Sequence, residues 1–172
     1  CLFILVALLA SPVLAHDTWV ETNSHIVRSG DAVHIDLKLG NHGNDHRDFK
    51  LASKIDAKDC TLQVLAPGGK KYDMRDSLVD LGYAPKEGYW TGKFVAAELG
   101  LYTVASTSDR VVSYAPTRSV KSAKTMFVVS GSLDKIARDQ TGFDVPLGHA
   151  LELVPTSNPV VPMGPGQSIN VQ

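Results

Sequence analysis

The stretch Ala32-Val33-His34-Ile35-Asp36-Leu37-Lys38-Leu39 decides the fold. Val33, Ile35, Leu37 and Leu39 alternate with His34, Asp36 and Lys38, a period of two that puts one face of a strand in a core and the other in water. Shorter apolar or alternating runs recur on both sides: Trp19-Val20, Thr61 to Leu65, Tyr89 to Val95, Leu101 to Ala105, Thr125 to Val129, Leu151 to Val154 and Ile169 to Val171. Turn residues punctuate them. Pro67-Gly68-Gly69 stands where a hairpin connection belongs, and Glu98-Leu99-Gly100 reads as a turn feeding the strand at Leu101. Many short strands with frequent turns predict an all-β fold, an immunoglobulin-like antiparallel β-sandwich. One segment departs from the pattern. Ser132 to Gln140 has an N-capping Ser, apolar residues at helical spacing and Gly142 beyond, and predicts one short helix.

Before the sandwich, Leu2 to Ala10 is a short uncharged apolar run, followed by Ser11-Pro12 and Val13-Leu14-Ala15. Small residues there fit a signal peptidase site, and the run is too short to span a bilayer stably. The expectation is a signal peptide over 1–15 whose basic start is missing, an exported or periplasmic protein, and His16 as the mature N-terminus. Residues 16–155 then form the sandwich domain. Beyond Pro155 the chain turns rich in Pro and Gly, so 156–172 reads as a linker and the start of a further, truncated β module.

Seventeen Lys and Arg against eighteen Asp and Glu leave no overall field to favour nucleic acid or an anionic membrane. Cys1 falls in the leader, so Cys60 has no intrachain partner and reads as a small buried hydrophobe. The sequence carries no G-x-S-x-G, H-E-x-x-H, P-loop or C-x-x-C, and the expectation is a protein that is not an enzyme.

Six histidines carry what chemistry there is. Cleavage after Ala15 gives His16 a free α-amino group, and amine and ring nitrogen together can chelate one metal ion, with a second His completing a brace. The amine's ordinary pKa of roughly 7.7 to 8.0 makes its deprotonation by a metal a modest cost near neutral pH. The blander reading is that His16 is where the peptidase happened to cut. His42 follows the strongest strand between glycines, and His149 follows Gly148 where another strand is expected to open. Each is a candidate metal ligand or else a hydrogen-bonded surface residue. His46 sits in a polar stretch and reads equally as a further ligand or a solvated residue. His25 and His34 read as ordinary surface residues. Asp17, Glu21 and Glu152 are candidates to orient a ligating imidazole, or to form plain ion pairs. Tyr83, Tyr89 and Trp90 read as core or as an exposed aromatic patch. The patch motivates the alternative function, a carbohydrate- or protein-binding sandwich without metal. A copper oxygenase on a similar brace would need an open coordination position and a substrate surface, and the sequence displays neither.

Ala15-His16-Asp17-Thr18-Trp19-Val20-Glu21 resembles the Ala-His-Asp-x-Trp start of an exported bacterial domain-of-unknown-function family associated with nickel and cobalt uptake. Three other segments are similar to that family: Ala32 to Gly43, Tyr89-Trp90 to Tyr102, and Leu147-Gly148-His149-Ala150-Leu151-Glu152 through Pro155. Thr18 stands where a Phe is common. The resemblance implies a periplasmic β-sandwich handling a divalent transition metal, nickel or cobalt with copper as a further candidate, at His16, His42 and His149. It also implies a membrane metal transporter as partner. Imidazole and amine donors do not by themselves choose among these metals.

Overall fold

The computed structural model describes residues 16–40, 56–112, 116–160, 166 and 168–172. Among the described residues nine strands run in chain order: β1 (Asp17–Thr22), β2 (Ile26–Arg28), β3 (Ala32–Gly40), β4 (Cys60–Leu65), β5 (Lys71–Asp73), β6 (Val79–Ala84), β7 (Glu87–Val95), β8 (Gly100–Val111) and β9 (Arg118–Ser130). They form two sheets, one ordered β1-β3-β7-β6 and one ordered β2-β9-β8-β4-β5. The pairings are antiparallel except that of β2, which joins the edge of the second sheet parallel to β9. The chain thus passes from one sheet to the other between β1 and β2 and returns at β3.

The alternation in β3 does what it predicts. Val33, Ile35, Leu37 and Leu39 are buried, and they meet Leu62, Val64, Tyr102, Val104, Phe127 and Val129 of the facing sheet. Tyr102 stacks on Phe127 with ring centroids 4.9 Å apart and meets Phe94 edge-on at 5.9 Å. Its phenolic oxygen accepts a hydrogen bond from the Glu98 amide at 3.0 Å. A buried tyrosine tied to backbone just upstream is the tyrosine corner found in sandwiches of this kind.

Glycine closes two of the turns. Gly88, at φ +137, lies so close to β6 that a Cβ there would come within 2.7 Å of the Gly82 Cα. Gly100, at φ +129, would carry its Cβ to 2.9 Å from the Pro67 ring. Gly88→Ala meets a disfavoured backbone angle and a backbone clash together. It is expected to lower unfolding free energy by about 2 kcal/mol in urea titrations, whereas an Ala tolerated within about 0.3 kcal/mol would contradict the tight β6–β7 approach.

Two expectations are corrected. Ser132 to Gln140 forms no helix. Nine residues are too few to nucleate one unaided, and local bonds compete: the Ser132 hydroxyl accepts from the Asp134 amide, and the Ser130 hydroxyl donates to the Ser132 carbonyl. Ile136 is then pulled onto a second apolar cluster of Leu101, Met126, Val128 and Val160 on the outer face of β8 and β9. The runs Leu151 to Val154 and Ile169 to Val171 add no strand to either sheet. They meet each other at one antiparallel bridge, Pro155 with Val171, flanked by reciprocal bonds between Val154 and Gln172.

Candidate functional site

The inner faces of the sheets are not apolar throughout. Along β8 the inward positions run Tyr102, Val104, Ser106, Ser108, and both serines are buried. Cross-strand register sets Ser108 opposite Cys60 on β4 and opposite Lys121 on β9. Paired residues share a face with Cβ atoms about 5 Å apart, so thiol, hydroxyl and ammonium form a row across one end of the sandwich. Lys121 shares the inward phase of Ala123, Phe127 and Val129. Burial pushes its ammonium below the ordinary value, the Asp17 carboxylate opposes that, and the Arg110 guanidinium adds to it. Burial likewise pushes the Cys60 thiol up, against the Ser108 hydroxyl that bonds it. Cys60 is a free, buried thiol, as expected.

His16 arrives at this end from the other sheet. It immediately precedes β1, it is half-buried, and the Lys121 ammonium donates to its backbone carbonyl. The antiparallel ladder pairs Asp17 with Gly40, the last residue of β3. His42 and His46 lie outside the described residues.

His149 is elsewhere. Ser122 and Lys124 point from β9 to its outer face, and the segment 147–155 docks there. The Glu152 carboxylate accepts from Lys124 at 2.6 Å and from the amides of Leu147, Gly148 and His149 at 2.9 to 3.3 Å. Burial would raise its pKa, yet the Lys124 ammonium and the Leu147 and His149 amides outweigh burial and hold it at about 2. Those amides bond the carboxylate rather than a neighbouring strand, which is why no strand opens at His149. The imidazole lines a groove of about 910 Å³ with His25, Ile26, Met126 and Leu153. His25 is fixed there, its Nδ1 donating to the Met126 carbonyl at 3.2 Å. His16 and His149 therefore stand on opposite sides of the second sheet. Among the described residues no three His, Cys, Asp or Glu side chains converge to hold a metal.

The remaining candidates have structural partners. Glu21 and Asp36 both pair with Lys38, whose ammonium also lies 4.6 Å from the Tyr89 ring centroid. Trp90 packs inward against the core while Tyr89, one residue earlier, takes the outer face, so the aromatic patch loses its central residue. Sequence reading missed Lys121. Its signal was a cation at an inward position of an alternating strand, legible only once the register of β9 is known.

Fold and site together define a two-sheet β-sandwich with one polar end and a C-terminal segment folded over the outside of one sheet. The chain belongs to the family described as "Domain of unknown function (DUF4198)", whose profile matches residues 13–172. No curated protein matches it. Among solved structures it is similar to a DUF4785 family protein from Legionella pneumophila subsp. pneumophila str. Philadelphia 1, with 17% identity and a TM-score of 0.44 over 64% of this chain and 27% of that one. It is also similar to an engineered protein, with 15% identity and a TM-score of 0.35 over 66% of this chain and 20% of that one. The chain thus spans about a quarter and a fifth of those two lengths.

Proposed function

We propose that this is an exported metal-binding protein, accessory to nickel or cobalt uptake, which takes its ion at a mature N-terminus beginning with His16. The observation that carries this reading is the pairing of Asp17 with Gly40. His42 follows Gly40 by two residues, and two residues reach at most about 7 Å. Covalent connectivity therefore bounds the distance between the backbone at His42 and the ladder on which His16 begins.

The donor set fits the ion. Cleavage after Ala15 supplies an amine and an imidazole from one residue, and a second imidazole from His42 gives three nitrogen donors. Three neutral nitrogens suit nickel, cobalt and copper, and the choice of nickel or cobalt follows from the family resemblance. His149 is not carried into this site, because a sheet stands between it and His16. The role is binding rather than catalysis, with a membrane metal transporter as the partner to which the ion passes.

The test compares correctly processed protein with a version carrying one extra residue before His16, each titrated with nickel, cobalt and copper. The extra residue moves the amine away from the ring, and the affinity is expected to fall at least tenfold. His42→Ala is expected to produce a loss of similar size. Equal affinity in all three proteins would sink the proposal.

A further inference from the structure

We infer that Lys121 is a positioning residue for the amino-terminal metal site, an inference that rests on the reading above. The argument begins with a cation in the wrong place. The inward positions of β9 beyond Lys121 are Ala123, Thr125, Phe127 and Val129, and all but Thr125 pack on the core. Removing an ammonium from water is costly unless it is paired or hydrogen-bonded. Methionine would fill similar space at position 121 without that cost.

What the ammonium gains is a link between the sheets. It crosses from β9 to donate to the carbonyl of His16, the residue just before β1, and the Asp17 carboxylate acts on it as well. Among the described residues β1 is the edge strand of its sheet, bonded to β3. A chain end on an edge strand frays unless something ties it down. For most proteins a frayed first residue has no consequence. Here the first residue after cleavage would be the chelate itself, and every rotor left free before binding is lost when the ion binds. Fixing the carbonyl fixes the peptide plane between His16 and Asp17, so one backbone rotation separates that plane from the amine. Tightly supported ligands are also what give a metal site a single geometry.

The experiment uses processed protein, copper(II) as the probe, and the variants Lys121→Met and Lys121→Arg. In metal-free protein, Lys121→Met is expected to speed amide exchange at Asp17 and Trp19, whose positions in the ladder face β3, at least tenfold while Phe127 and Val129 keep their protection, which separates fraying from misfolding. With copper bound, the parent is expected to give one electron paramagnetic resonance species. Lys121→Met is expected to give a mixture, with affinity reduced about tenfold, and Lys121→Arg, which still donates to the carbonyl, one species again. Amine-dependent copper binding that Lys121→Met leaves unchanged in affinity and spectrum overturns this inference alone. Copper binding indifferent to an extra residue before His16 overturns the metal reading, and the positioning role falls with it.

Discussion

Tyr102→Ala is expected to cost about 3–5 kcal/mol of unfolding free energy, the largest effect of any single substitution in the sandwich. Tyr102 is 1% exposed, and its ring stacks on Phe127 of the neighbouring strand and meets Phe94 of the facing sheet edge-on. Truncation opens a cavity between rings that cannot close together, because each is held by its own strand. A second loss comes at the hydroxyl, where the Glu98 amide gives up its acceptor. Tyr102→Phe isolates that part and should cost about 1–2 kcal/mol. Urea titrations of the two variants measure both quantities, and the Ala form should melt roughly 10 °C lower. A Phe variant as damaged as the Ala variant would mean that the hydroxyl bond, not the ring packing, dominates at this corner.

Glu152→Ala is expected to release residues 147–155 from the outside of the second sheet while leaving the sheet intact. The Glu152 and Lys124 side chains are only 8% and 13% exposed, so removal of the carboxylate leaves a covered ammonium and three amides without their acceptor. Breaking such a pair by deleting one partner costs about 3–5 kcal/mol. Lost protection from hydrogen exchange across 147–155, with β8 and β9 still protected, is the expected pattern. Full protection in the variant would show that the apolar contacts of this segment suffice to hold it.

The same carboxylate gives the docking a pH dependence of definite sign. Folding depresses the Glu152 pKa from an ordinary 4.5 to about 2. Its contribution is therefore complete above about pH 4.5 and is lost as the pH falls toward 2, where folded and unfolded forms bind the proton alike. Protease susceptibility of 147–155 should rise through that acid window. In Glu152→Gln, which cannot titrate, the rise should be much smaller.

The exposed side chains over this docked segment make its attachment worth measuring. Leu151 and Leu153 are 86% and 69% exposed at the rim of the groove, an unusual amount of open aliphatic surface. Their backbone is held by the Glu152 clamp, by the Ser122 hydroxyl donating to the Leu151 carbonyl, and by the reciprocal bonds between Val154 and Gln172.

The alternation of Val33, Ile35, Leu37 and Leu39 determined by itself that a half-buried strand forms there, because side chains on a pleated strand point alternately to opposite faces. Pro67-Gly68-Gly69 likewise determined its turn, since the backbone angles of a turn are a local property. The cysteine count, with the usual burial of a free Cys, also foretold a free, buried Cys60. None of this required knowing which strands are neighbours.

Tertiary structure decided the rest. Ser132 to Gln140 carries a helical pattern, yet the apolar cluster on β8 and β9 captures Ile136 and the Ser130 hydroxyl takes local carbonyls, so long-range packing overrides a weak local preference. His16, His42 and His149 are equivalent as letters in a chain. Tertiary structure separates His16 from His149: His16 precedes the strand whose Asp17 pairs with Gly40, whereas His149 docks across β9 on the far side of the sheet. Lys121 belongs with His16 for the same reason. Distances between residues 105 positions apart follow from which strands pair and in what register, and no local pattern encodes them.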